Sequence, residues 1–292
     1  MAVSRLRLPF AALVAIVATA TSGLLAQQAP TFTSSTRLVT VAVSVMRGGE
    51  VVTGLTRDDF QILSNGQIKP IVQFTSEPGP VTTALLVDAS GSMAVNRAIG
   101  PAVAGVQDLL RGLDDTQDRA GIFTFERTLT MRHDFGPISP TLMATVSDTH
   151  AFGSTSLFDA ILSTSRALAA DGAARRAVVV YTDGVDTSSV QPSVDVSAHV
   201  AAIDVPVYVV AIGAAPEAGL DAVAHDTGGQ LFTVTPGAPM QKARTSIITQ
   251  LRQHYLLAFE PDVRPGWHRL SVRTRPNHTV RARAGYSVSP RS

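Results

Sequence analysis

The chain contains the segment Val81-Thr82-Thr83-Ala84-Leu85-Leu86-Val87-Asp88-Ala89-Ser90-Gly91-Ser92-Met93. Its apolar run ends abruptly in three oxygen-bearing side chains, Asp88, Ser90 and Ser92. Such a run predicts a strand that is buried on both faces, as in a parallel sheet. Open α/β sheets bind ligands where the chain turns at the carboxyl end of such a strand. Because a carboxylate and two hydroxyls are hard oxygen donors, the turn predicts a site for Mg²⁺, Ca²⁺ or Mn²⁺ rather than zinc.

Two later loops carry side chains that could complete this site. Gly153-Ser154-Thr155-Ser156 opens a helical pattern, which places the Thr155 hydroxyl near a helix N-terminus. The segment 177–184 repeats the first pattern, since an apolar β-branched strand ends in Asp183 and a glycine. If the two strands are parallel neighbours, Asp88 and Asp183 reach the same edge of the sheet.

As a set and in this order, Asp-x-Ser-x-Ser, a distant Thr and a distant Asp-Gly resemble the metal-ion-dependent adhesion site of von Willebrand factor type A domains. The resemblance covers about residues 81–253. It implies that Ser90, Ser92 and Thr155 ligate a divalent cation, with Mg²⁺ expected first. It also implies that Asp88 and Asp183 act directly or through water, and that a carboxylate from a partner protein completes the coordination.

The segments before and after residues 81–253 make the resemblance more specific. The segment 52–60, the Asn65-Gly66 turn and the Arg-Ala-Arg-Ala-Gly-Tyr segment at 281–286 are similar to a subfamily of exported bacterial proteins with a type A-related domain. Members of this subfamily mostly lack an assigned biochemical role. The resemblance therefore implies a fold and a metal site more than a specific function.

The amino-acid composition of the chain limits the classes of function that it can have. The chain has 292 residues, 45% of them hydrophobic, which allows one large α/β domain and a smaller one. The formal net charge of +1 gives no global field for nucleic acid or an anionic membrane, so we expect no nucleic-acid partner. The absence of cysteine excludes disulfides, thiolate catalysis and cysteine zinc sites.

The beginning of the chain predicts export. Residues 1–26 combine Arg5 and Arg7 with an apolar segment and small residues, as in a cleaved signal peptide. An uncleaved membrane anchor remains the alternative, because apolar character persists almost to Ala26. Residues 27–35 are polar and predict a flexible lead-in. We expect a secreted or periplasmic protein with no membrane span beyond this N-terminal segment.

The periodicity of the remaining chain predicts three segments. Residues 36–76 form a β segment with a hairpin of strands 60–63 and 68–74 around Asn65-Gly66. Strands and helices alternate over residues 81–253, including a helix at about 94–113, which predicts a doubly wound, mostly parallel sheet. Residues 254–288 return to strands, among them 279–286. We expect the two terminal segments to pack together as one small β-sandwich.

The motifs favour a binding module over an enzyme. No Gly-x-Ser-x-Gly, His-Glu-x-x-His or Gly-x-Gly-x-x-Gly motif is present at the relevant positions, and the only lysines are Lys69 and Lys242. The sequence therefore predicts an exported adhesion-type module whose metal accepts an Asp or Glu side chain of a partner protein. A structural component of the cell envelope with a stabilising metal is one alternative. A Mg²⁺-dependent hydrolase is the other.

Overall fold

The computed structural model describes residues 38–213, 216–235 and 240–290, so the expected signal peptide and lead-in lie outside the described residues. The strands are β1 (Val39–Arg47), β2 (Glu50–Val51), β3 (Phe60–Ser64), β4 (Gln67–Lys69), β5 (Gln73–Thr75), β6 (Thr82–Asp88), β7 (Arg119–Phe125), β8 (Leu129–Pro137), β9 (Arg176–Thr182), β10 (Val207–Ile212), β11 (Gln230–Val234), β12 (Tyr255–Phe259), β13 (Gly266–Thr274), β14 (Thr279–Arg281) and β15 (Gly285–Val288). The helices are α1 (Gly91–Val95), α2 (Ile99–Gly112), α3 (Pro140–Ser147), α4 (Leu157–Asp171), α5 (Ser193–Ala202), α6 (Ala218–Asp226) and α7 (Gln241–Gln253).

A six-stranded sheet in the order β11-β10-β9-β6-β7-β8 forms the centre of the α/β region. Its strands are parallel except for β8, which pairs antiparallel with β7 at one edge. Every residue of β6 is buried, because helices cover both faces of the sheet. Leu85 and Val87 pack towards α2, α3 and α7, whereas Ala84 and Leu86 pack towards α4, α5 and α6. The predicted doubly wound, mostly parallel fold is confirmed.

The terminal strands build two further antiparallel sheets, which enclose a separate hydrophobic core. One sheet has the order β14-β1-β12-β5, and the other has the order β15-β13-β3-β4. Strands from the two ends of the chain pair directly, β1 with β12 and β3 with β13. Val43 and Leu257 of the first sheet pack in the same cluster as Ile62 and Val272 of the second. The predicted β-sandwich of N- and C-terminal strands is therefore confirmed as part of the fold.

Three predicted elements are divided in the structure. The helix expected at 94–113 is interrupted between Val95 and Ile99, where Arg97 has a left-handed φ of 53° that an α-helix excludes. The strand expected at 68–74 is interrupted at Pro70, which has no N–H to donate, and β5 then pairs with β12 in the other sheet. The strand expected at 279–286 divides into β14 and β15, which belong to different sheets.

In the ranges that the structure describes, we find no helix with the length and apolar character needed to span a membrane.

Candidate metal centre

The five residues predicted for the metal site lie in three loops at the carboxyl edge of the central sheet. Asp88 is the last residue of β6, and Asp183 directly follows β9. These strands are parallel neighbours, with Val87 opposite Tyr181, so the two carboxylates leave the sheet side by side. Ser90 lies in the turn between β6 and α1, and Ser92 lies in the first turn of α1. The threonine lies in the loop before α4.

Asp88 is fully buried and held by two donors. Its Oδ1 accepts a hydrogen bond from the Ser90 N–H (2.9 Å), and its Oδ2 accepts one from the Thr182 hydroxyl (2.6 Å). Burial raises the pKa of Asp88 to about 6, although these hydrogen bonds oppose the rise and the nearby charge of Asp183 adds to it. Two adjacent carboxylates in a buried site repel each other, and a bound cation would relieve that repulsion.

Asp183 has one carboxylate oxygen that lacks a partner. Its Oδ2 accepts a hydrogen bond from Asn96 Nδ2 (3.0 Å). Its Oδ1 is buried and has no hydrogen-bond partner among the described residues. A buried acceptor without a partner is costly unless water or a cation satisfies it. The orphaned oxygen therefore fits a cation-binding role for Asp183.

Hydroxyl groups supply the remaining oxygen donors. The Oγ atoms of Ser90 and Ser92 lie 3.0 Å apart. Ser90 and Thr155 are buried, whereas Ser92 is partly exposed. The described residues contain no cluster of three or more His, Cys, Asp or Glu side chains that could hold a metal. A cation at this edge would therefore depend on hydroxyl oxygens, a donor set that suits a hard ion such as Mg²⁺.

Backbone hydrogen bonds hold the loops of the site together. The Gly91 N–H donates to the Gly153 carbonyl (2.9 Å), and the Phe152 N–H donates to the Ala89 carbonyl (2.7 Å). A Cβ on Gly91 would lie 3.2 Å from the Gly153 oxygen, so a side chain there would strain this contact. The Thr155 N–H donates to the Thr187 hydroxyl (2.9 Å), which joins the second loop to the loop after Asp183. The loops thus support one another in a single arrangement.

Two residues of the site escaped the sequence analysis. Thr182 binds the buried carboxylate of Asp88, and its Oγ1 also accepts a hydrogen bond from the Gly184 N–H (3.0 Å). Asn96 holds Asp183 from the end of α1. A hydroxyl directly before Asp183, at the end of an otherwise apolar strand, was a usable signal for Thr182. No comparable local pattern identifies Asn96, because its contact spans 87 residues of sequence.

Comparisons with known proteins identify the domain family and the fold. Residues 84–245 match the family model of the von Willebrand factor type A domain. No curated protein sequence matches. A search of solved structures found von Willebrand factor type A from Catenulispora acidiphila, with a TM-score of 0.51 and 12% identity over 88% of this chain and 76% of that one.

Two other solved structures share the fold. Proximal thread matrix protein 1 from the mussel byssus, with a zinc-occupied MIDAS motif, has a TM-score of 0.53 and 13% identity over 64% of this chain and 49% of that one. An aerotolerance-related membrane protein from Bacteroides fragilis has a TM-score of 0.50 and 16% identity over 59% of this chain and 98% of that one. These identities establish a shared fold only. Because the family model covers more than half of the sequence, this chain belongs to the von Willebrand factor type A domain family.

Proposed function

We propose that this chain is a metal-dependent protein-binding module, in which a divalent cation accepts an acidic side chain of a partner protein. Type A domains generally mediate interactions between proteins, and many bind a divalent metal. The observation that carries the proposal is the meeting of two aspartates and three hydroxyl side chains at one sheet edge, where the buried Asp183 Oδ1 has no partner in the described part of the chain.

Each residue has a distinct part in this proposal. Ser90, Ser92 and Thr155 would ligate the cation through their hydroxyls. Asp88 and Asp183 would balance its charge, directly or through water. A bound Mg²⁺ would supply Lewis acidity towards a carboxylate ligand. Because the protein contributes few direct carboxylates, an external Asp or Glu is the favoured last ligand.

We also propose that the protein is exported and acts in the cell envelope or outside the cell. The charged start, the apolar segment and the small residues of 1–26 support export. The related structure from Bacteroides fragilis is described as a membrane protein. That likeness agrees with an envelope location for this chain, although the two share only the fold.

A peptide library tests the proposed function. Displayed peptides with a fixed central Glu, or with Gln in its place, are panned on the full chain in Mg²⁺ and in EDTA. We expect enrichment only with Glu and only with Mg²⁺, and we expect the variant Ser92→Ala to lose it. The matched control is Ser271→Ala, which removes an exposed hydroxyl of β13 in the β-sandwich.

Equal recovery of Glu and Gln peptides, or recovery that survives in EDTA, would refute the proposal. A metal that raises the melting temperature without selecting any peptide would instead favour a structural role in the envelope. Turnover of a phosphoester by the Mg²⁺-loaded chain, abolished in Ser92→Ala, would favour the hydrolase alternative.

A further inference from the structure

Three exposed apolar side chains surround the candidate metal centre, and we call them the apolar rim. They are Val95, Phe152 and Val185, whose exposed fractions are 82%, 64% and 41%. Val95 ends α1, Phe152 lies in the loop before α4, and Val185 lies in the loop after β9. Because apolar side chains of this size are usually buried, their exposure here requires an explanation.

Chain position and one backbone hydrogen bond place the rim residues close to the proposed metal ligands. Val95 immediately precedes Asn96, whose amide binds Asp183 Oδ2. The backbone of Phe152 donates to the carbonyl of Ala89, the residue between Asp88 and Ser90. Val185 follows Asp183 by two residues. The three side chains are thus attached to the same loops that carry the oxygen donors.

Many of the exposed apolar side chains lie in chain segments that carry or follow the proposed ligands. Two further exposed valines, Val190 and Val194, lie in the loop after Asp183 and in the first turn of α5. In the described ranges, these five residues make up half of the ten large hydrophobic side chains that are exposed. Scattered exposure would need no explanation, but a cluster beside one site indicates an interaction surface.

A small cavity adjoins the rim. Its volume is about 100 Å³, and Ala89 and Phe152 are among the residues that line it. Arg132 also lines it, but its guanidinium is paired with Asp148 (2.9 Å). The Glu126 carboxylate also lines the cavity, and the Arg132 charge already has a partner, so the cavity disfavours a second acidic side chain.

We infer that the partner presents its acidic residue between apolar residues, which pack against the apolar rim while the carboxylate reaches the metal. The inference rests on the proposed function and specifies the chemistry of the partner. In this arrangement the metal selects for the carboxylate. Burial of Phe152 and Val95 under the flanking side chains supplies additional affinity, as apolar anchors do at the centres of other interfaces.

The test uses the Glu library with two randomised positions on each side, panned on the full chain in Mg²⁺. We expect apolar residues to be enriched beside Glu. The double variant Val95→Ser/Phe152→Ser should bind the selected peptides about tenfold more weakly or worse, with unchanged Mg²⁺ affinity. The control Val263→Ser removes an equally exposed valine, 73% accessible, from the turn between β12 and β13, and should bind as the wild type does.

Distinct results separate this inference from the proposed function. Mg²⁺-dependent selection of Glu with polar or charged flanks, or with no flank preference, would overturn the inference and leave the proposed function intact. Equal binding by the rim variant and the wild type would also overturn it, as would an equal loss in Val263→Ser. No Mg²⁺-dependent selection of Glu would reject both.

Discussion

Oδ2 of the Asp88 carboxylate accepts its side-chain hydrogen bond from the Thr182 hydroxyl. Thr182 donates to that oxygen at 2.6 Å inside a site where both residues are fully buried. A buried acceptor that loses its donor bears the full cost of its desolvation. Thr182 is therefore a positioning residue for the candidate centre, and its effect can be measured without any ligand.

We predict that Thr182→Val, which keeps the shape but removes the hydroxyl, lowers the free energy of unfolding of the metal-free protein by about 1–3 kcal/mol. Urea denaturation measures this change. Thr279→Val, on the exposed strand β14, is the control and should shift the free energy little. An unchanged value in Thr182→Val would show that water replaces the lost donor.

His254 is a residue whose shifted pKa makes the stability of the protein depend on pH. Burial, followed by the charge of Arg175, lowers the pKa of His254 to about 3, and its Nε2 has no partner among the described residues. Between pH 6.5 and 3 the unfolded chain therefore binds a proton that the native state does not bind. The contribution of His254 to stability is complete above about pH 6.5 and is lost as the pH falls towards 3.

We predict that His254→Asn loses stability less steeply than the wild type between pH 6.5 and 4, by an amount on the order of a few kcal/mol across this range. Urea midpoints at several pH values give the two slopes. Other groups titrate equally in both proteins, so the difference isolates His254. Parallel slopes would mean that the imidazole becomes solvated or paired in the native state.

At the scale of elements, the turn after β9 is shaped by close packing. Gly184 has a left-handed φ of 87°, and a Cβ there would lie 2.8 Å from the Cα of Pro216. Gly172 at the end of α4 has a similar φ of 79° with no atom within 4 Å of such a Cβ. An alanine at position 172 would therefore meet backbone strain alone, whereas an alanine at position 184 would meet both backbone strain and a steric clash.

We predict that Gly172→Ala destabilises the protein by about 1 kcal/mol through backbone strain alone. Gly184→Ala should cost more, about 3 kcal/mol, because the Pro216 backbone must move as well. Thermal or urea unfolding of both variants provides the comparison. Equal losses would show that the Asp183-Gly184 turn shifts freely, which would weaken the case for a preformed site.

Most elements of the α/β region could be predicted because their patterns are local. An apolar run such as Ala84–Val87 determines both a strand and its burial. The breaks at Arg97 and at Pro70 were missed for different reasons. A left-handed arginine has no reliable sequence signal, whereas the proline signal was present and the pattern of neighbouring apolar residues outweighed it.

Five site residues could be proposed from the motif because each follows a recognisable strand or precedes a helix. The geometry in which these five residues meet could not be predicted from the motif. The contact of Asn96 with Asp183 and the hydrogen bond from Gly91 to Gly153 depend on how separate loops meet. The exposure of Val95 could not be predicted from the sequence either, because the residues around it predicted a continuous helix with a buried face.

At the scale of the whole molecule, one arginine links the β-sandwich to the α/β region. Arg283 lies between β14 and β15 and is 5% exposed. It donates to the carbonyls of Ala201 and Ala202 (3.2 Å each) at the end of α5, and to the carbonyl of Thr40 in β1. It also forms an ion pair with Asp204, with 3.3 Å between Nε and Oδ1. This network joins elements from both regions.

We predict that Arg283→Met lowers the free energy of unfolding by about 3 kcal/mol, because the carbonyls lose their donor and Asp204 loses its ion-pair partner. Arg269→Met, on the exposed face of β13, should change it by less than about 0.5 kcal/mol. Calorimetric scans of the two variants test this. A wild-type melting curve for Arg283→Met would show that the network does not couple the two regions.

We expect the carboxyl edge of the sheet to bind a divalent cation. The most direct measurement is a calorimetric titration of Mg²⁺ into the metal-stripped full chain, beside Asp88→Asn and Ser92→Ala, with melting followed in parallel. We predict saturable binding by the wild type, a gain of about 2.7 kcal/mol in unfolding free energy at a Mg²⁺ concentration of 100 Kd, and loss of both in the variants. Absence of binding by the folded wild type, or equal binding by all three proteins, would contradict the account.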